Sequence, residues 1–167
     1  RGLGDVYKRQ YGHGAIDAGL AVHIARNWTN VNPEFNWSSG ELDVSQSIPD
    51  NTRNGLSETV TVDAGLLVES VEIRFDADHT YRGDLEITLT SPDGTESRLA
   101  EEHNDNNNNF NEWVFSTVLH WDESSDGDWT LDVNDRGNGY TGSWNHWELV
   151  IHGAEAVSYT HLTLPTT

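Results

Sequence analysis

Residues 81–95 read YRGDLEITLTSPDGT, and two readings of this stretch compete. Arg82-Gly83-Asp84 is a tripeptide familiar as a cell-adhesion signal, which works only on an exposed loop tip. Directly after it, Leu85, Ile87 and Leu89 alternate with Glu86, Thr88 and Thr90. That period of two is the mark of a strand with one face in a core and one in water. The SPDG that follows supplies turn chemistry to end the strand. Gly83 permits a sharp entry, and Asp84 can hydrogen-bond nearby backbone at the strand lip. Because the tripeptide abuts Leu85, an expected core residue, it reads as structure rather than as an adhesion loop.

The same period recurs on both sides. Val60 and Val62 alternate with polar residues in ETVTVDA, and Val71, Ile73 and Phe75 alternate with Glu72 and Arg74. NEWVFSTVL follows an Asn-rich tract. Trp129, Leu131 and Val133 form one further apolar row, and Trp147, Leu149 and Ile151 another. SPDG, NDNNNN, SSDGD and DRGNGYTG separate these runs. Short strands at such spacing predict an all-β sandwich or barrel with one solvated face per sheet.

Upstream the period is different. In YGHGAIDAGLAVHIARNW (residues 11–28), Ile16, Leu20 and Ile24 stand four apart, beside Ala21 and Ala25. Asp17 suits the first turn of a helix, where a negative charge complements the dipole, and Arg26 and Asn27 suit its end. The spacing predicts a helix over 15–27. A helix this short is marginal alone in water, so its apolar stripe calls for a partner surface. Residues 28–47, rich in Pro, Asn, Ser and Gly, read as a connector with one short strand near Leu42 to Ser45.

Composition narrows the function classes. The chain has 167 residues, with 9 Lys+Arg against 28 Asp+Glu and a formal net charge of −19. Such a surface repels phosphate backbones and anionic lipid, which argues against nucleic-acid and membrane partners. No apolar run approaches the ~18 residues of a membrane span. Cysteine and methionine are both absent, so no disulfide framework exists. The ends depart from the acidic middle. Residues 1–10 hold the only Lys, and VSYTHLTLPTT at 157–167 holds no acid. The expectation is that 1–10 and 154–167 are adapter-derived or disordered and that the whole is an internal fragment.

Two stretches resemble one family, in its order. YGHGAIDAGLAVHIARNWTNV is similar to the closing helix of a subtilisin-like catalytic domain of the kexin/furin branch. The segments IPDN, TYRGDLEITLTSPDGT, FNEWVFSTVLHWDESSDGDWTLDVND and GSWNHWELVIHG resemble the P domain, or Homo B domain, that follows it in proprotein convertases. The resemblance implies a jelly-roll β-sandwich at 48–153, a linker at 30–47, and at 11–29 the last helix of an α/β subtilisin-like domain. It implies that the P domain packs on the protease intramolecularly and stabilises it. It also implies a secreted or periplasmic serine endopeptidase as parent, acting on peptide or protein substrates. The family's Gly-Thr-Ser-Xaa-Ala nucleophile motif does not occur in the sequence, so no catalytic residue is carried over and this part alone is expected to be inactive. Ile16, Leu20, Ile24 and Trp113 are the candidates for packing against the catalytic domain.

Metal is the remaining chemistry. Asp122, Asp126 and Asp128 fall within WDESSDGDW, and hard oxygen donors at short spacing can wrap Ca²⁺. The same residues also suit a polar turn. In the family, calcium belongs mainly to the catalytic domain. A reading from another class remains, a free-standing secreted jelly-roll module binding carbohydrate or protein through exposed aromatics among the seven Trp. A non-proteolytic secreted Ca²⁺ protein is a third.

Overall fold

The computed structural model describes residues 17–26, 28 and 32–155. The chain divides into two compact units, Arg1–Val31 and Asn32–Thr167, each of which is described by itself.

The first unit holds one helix, α1 (Ala18–Ala25). Asp17 is its N-cap: the side chain accepts the Leu20 backbone N–H at 2.9 Å, satisfying one of the donors that a helix start leaves open. The charge placed by sequence in the first turn therefore acts one position earlier, as the cap. No residue of α1 is buried. Leu20 is 54% exposed and Ile24 is 47% exposed. Ile16, the third member of the expected stripe, lies outside the described residues.

The second unit is a two-sheet antiparallel sandwich. Its strands are β1 (Glu34–Ser38), β2 (Leu42–Ile48), β3 (Leu56–Val62), β4 (Leu66–His79), β5 (Leu85–Thr90), β6 (Glu96–Ala100), β7 (Phe110–Thr117), β8 (Gly127–Asp135) and β9 (Gly142–Glu155). One sheet has the order β1-β9-β4-β7, with β2 also on β9, and the other has the order β3-β8-β5-β6. From β2 onward the chain alternates between sheets except at the β5–β6 hairpin. Eight strands so ordered make a jelly roll, the expected fold class.

The inward residues follow from alternation. Val71, Ile73, Phe75, Leu85, Ile87, Leu89, Trp129, Leu131, Val133, Leu149 and Ile151 are all 0% exposed. Trp144, three residues before Trp147 and so out of strict alternation with it, is 0% exposed as well, because the register shifts between Asp76 and Ala77 where β4 meets β9. A bulge adds one residue to one strand and so changes which residues face inward. A second shift between Val68 and Ser70 lets Val68 and Val71, three apart, both point into the core.

Two boundaries differ from expectation. Residues 34–48 are not a plain linker, since β1 and β2 both pair along the free edge of β9. Their composition is poor for strands, but a 14-residue neighbour with an open edge supplies the hydrogen bonds that composition does not suggest. At the other end β9 runs to Glu155, with Ala154 opposite Leu67 and Glu155 opposite Leu66. The strand therefore takes in the first two residues assigned to the tail. Residues 156–167 and 1–16 lie outside the described residues.

Candidate functional site

The corner at Arg82–Asp84 is a short 3₁₀ turn leading into β5. Gly83 is buried, and its N–H donates to the Asp105 carbonyl at 3.2 Å while its own carbonyl accepts the His103 N–H at 2.9 Å. A Cβ at this position would lie 2.4 Å from the His103 carbonyl oxygen. Only glycine fits so close a backbone approach. Arg82 Nε donates to Asp105 Oδ2 at 2.7 Å, and its guanidinium lies 5.0 Å from the centre of the Trp113 ring. Hydrogen bonds from Asn107 and Arg82 hold the Asp105 carboxyl down to about 2. The Asp84 carbonyl accepts the Arg136 N–H at 2.8 Å. All three residues of the tripeptide are spent on fixing loop 101–109 and the β8–β9 loop, so the corner is structural.

Beneath it His79 and Asp135 are both fully buried, with His79 Nε2 3.2 Å from Asp135 Oδ2. Burial, partly offset by His79, raises the Asp135 carboxyl above its usual range. Asp135 Oδ1 also accepts the Gly137 N–H at 3.0 Å. Buried polar side chains are tolerated when their hydrogen-bonding atoms are satisfied in this way.

The metal-type side chains gather elsewhere than expected. Asp126 Oδ1 accepts the Ala64 and Gly65 N–H groups at 2.8 and 2.7 Å, which lowers its pKa. Asp128 Oδ1 accepts Thr61 Oγ1 at 2.6 Å, and Asp122 donates its backbone N–H to Val68 at 2.8 Å. The Asp126 carboxylate pins the β3–β4 turn and the Asp128 carboxylate ties β8 to β3, Asp122 is held through its backbone, and the three do not converge. Among the described residues the group that does converge is Asp76, Glu112 and His146, whose ligand atoms lie within 4.8 Å of one another. Asp76 comes from β4, Glu112 from β7 and His146 from β9. The sequence reading missed this group because no two of its members are near in the chain.

Exposed apolar side chains concentrate in the β7–β8 loop, where Val118, Leu119 and Trp121 are 65%, 58% and 62% exposed. Trp113, the packing candidate on β7, is 41% exposed and stacks edge-on against Phe110. Phe110 itself is core, and Phe115 packs against the core. His120, in the same loop, is wholly buried with its ring edge-on to Trp129 at 5.0 Å. Its Nδ1 is 3.5 Å from Glu123 Oε2, and neither ring nitrogen has a hydrogen-bond partner among the described residues. Burial lowers its pKa despite the carboxylate beside it.

A two-sheet jelly roll with a glycine-locked strand entry defines the class of module. The proprotein convertase P-domain model matches residues 68–151. The chain belongs to the proprotein convertase P-domain family. It is 34% identical over 160 residues to the dibasic-processing endoprotease of Schizosaccharomyces pombe, covering 88% of this chain and 23% of that protein. It is 34% identical over 161 residues to furin of Bos taurus, covering 91% and 20%. With neuroendocrine convertase 2 of Homo sapiens it shares 30% over 167 residues, covering 95% and 26%. The chain thus spans about a quarter or less of these relatives. The serine protease of Aeromonas sobria, solved in complex with its chaperone, shares the fold at a TM-score of 0.71 and 22% identity, over 86% of this chain and 31% of that one.

Proposed function

We propose that this chain is the P domain, with the end of the preceding catalytic domain, of a secreted subtilisin/kexin-type serine endopeptidase. Its role is to cover one face of that catalytic domain and stabilise it. Peptide-bond hydrolysis through an acyl-enzyme is the work of residues outside this chain, and any calcium requirement belongs chiefly to that catalytic part. The observation that carries this reading is the reach of the likeness. An alignment covering 95% of the chain must extend into the Arg1–Val31 unit, so the convertases share the helical segment and the sandwich together. A free-standing binding module would match over the sandwich alone. One relative is named for dibasic processing, so peptides with paired basic residues are the first substrates to assay.

The packing face is the one expected from the sequence spacing, and the exposure of Leu20 and Ile24 is consistent with it. Leu20 and Ile24 on α1 are the residues for burial in the catalytic domain, as Ile16 is by sequence, and Trp113 is a contact for the same partner. The decisive experiment joins this chain to its natural upstream sequence and assays secretion and cleavage. Activity is expected from the longer protein and none from residues 1–167. An upstream sequence without a subtilisin-type nucleophile motif would sink the proposal.

A further inference from the structure

We propose that Asp76, Glu112 and His146 form a Zn²⁺ site on the outer face of the β1-β9-β4-β7 sheet. Imidazole nitrogen and carboxylate oxygen both bind zinc, and three protein ligands leave a fourth position to water. Calcium is a poorer match, since it takes six to eight oxygens and no nitrogen.

The site is built by coincident breaks in the ladder. β4 and β7 shift register between Phe75 and Ala77, and β4 and β9 shift between Asp76 and Ala77. β2 and β9 shift between Asp43 and Gln46, opposite the same residues of β9. Each extra residue lets two neighbours face outward together: Asn111 with Glu112 on β7, and Asn145 with His146 on β9. The flanking aromatics Phe110, Trp144 and Trp147 stay in the core, and Trp113, 41% exposed, lies against Phe110 at its edge. Glu112 holds φ at +46° to do this, a conformation that costs a bulky L-residue free energy.

The ligands are oriented before any ion arrives. Asp76 Oδ1 accepts Asn145 Nδ2 at 2.8 Å and Asp76 Oδ2 accepts the Glu112 N–H at 3.0 Å. Outer hydrogen bonds of this kind fix the direction of a metal-binding carboxylate. His146 Nε2 is 2.7 Å from Glu112 Oε1 and 3.9 Å from Glu41 Oε2. Zinc ligands sit about 2.0–2.2 Å from the metal and so about 3.3–3.6 Å from one another in a tetrahedral site. The Glu112–His146 pair, at 2.7 Å, must therefore open by somewhat under ~1 Å, and ligand atoms as far apart as 4.8 Å must close by about 1 Å. The Glu112 side chain, 67% exposed, is free to make that movement. Asp78, tied to Asn145 and Asn109, adds a further acid beside the trio. Among the described residues the arginine ion pairs lie elsewhere, at Glu148, Asp105 and Glu86. A divalent cation would therefore meet carboxylates without a competing guanidinium.

The test is calorimetric titration of ZnCl₂ into the whole chelator-treated chain, repeated with CaCl₂, alongside the visible spectrum of the Co²⁺-loaded protein. The expected result is one Zn²⁺ per chain, weakened about tenfold or more by H146A and by E112Q and unchanged by D126N. Co²⁺ should give ligand-field bands that H146A removes, while circular dichroism shows both variants folded. Zinc binding indifferent to H146A and E112Q, tighter Ca²⁺ than Zn²⁺ binding, or no zinc binding would each overturn the site.

Discussion

Gly83 shows how much one missing methyl group can decide. The backbone of His103 and Asp105 closes over it so tightly that a Cβ would stand 2.4 and 2.7 Å from their carbonyl oxygens. Gly83→Ala should cost about 1–3 kcal/mol through overpacking, read as a lower urea midpoint at unchanged slope. An adhesive tripeptide on a free tip would tolerate the change. His120 makes a pH prediction at the same scale. Its folded pKa lies below the ordinary 6.5, so the unfolded chain takes up the proton first as pH falls. Its contribution is present above about 6.5 and is lost as pH drops through the lowered folded value. Thermal melts of the native protein should therefore fall in that window more steeply than those of His120→Phe, which has no proton to gain. Equal slopes would show that this ring does not govern acid sensitivity.

At the scale of the element, the long central pair β4–β9 organises the sandwich. Trp144 and Trp147 on β9 face inward three residues apart, with Trp144 5.8 Å from Phe75 and 6.2 Å from Trp147 by ring centres. That spacing works only because Asn145 is bulged. Trp144→Ala should cost about 3–5 kcal/mol, a large part of the 5–15 kcal/mol that holds a domain of this size. Chemical denaturation of the full chain measures it. The bulges were legible in part. WNHW at 144–147 puts two polar residues between two aromatics, which strict alternation cannot satisfy when both aromatics are buried, as Trp144 and Trp147 are. Strands β1 and β2 were not legible as a pair, since their stability comes from the edge of β9 rather than from their own residues.

For the whole molecule, exposure separates the side chains that stabilise the sandwich from those that do not. Leu119 and Trp121 are more than half exposed, so Leu119→Ser with Trp121→Ala should leave the melting of this chain within about 0.5 kcal/mol per change. If the proposed catalytic domain meets the β7–β8 loop, the same pair should lower the activity of the longer protein. Unchanged activity would place the interface elsewhere. The same contrast applies to Leu20→Asp and Ile24→Asp on α1, which has no buried residue to lose.

Sequence by itself determined the class of fold, the inward rows of β4, β5, β8 and β9, the structural reading of Arg82-Gly83-Asp84 and the acidic character of the surface. These are local properties: a period of two and a turn residue are written in neighbouring positions. The tertiary structure decided which acids stand together. Asp122, Asp126 and Asp128 are close in the chain, yet they do not meet: Asp126 holds a turn and Asp128 a strand pair. Asp76, Glu112 and His146 are far apart, yet they meet. Strand pairing brings distant residues to within a few ångströms, and a bulge of one residue reverses the face on which a side chain emerges. Neither the partner strand nor the bulge is fixed by the residues next to it.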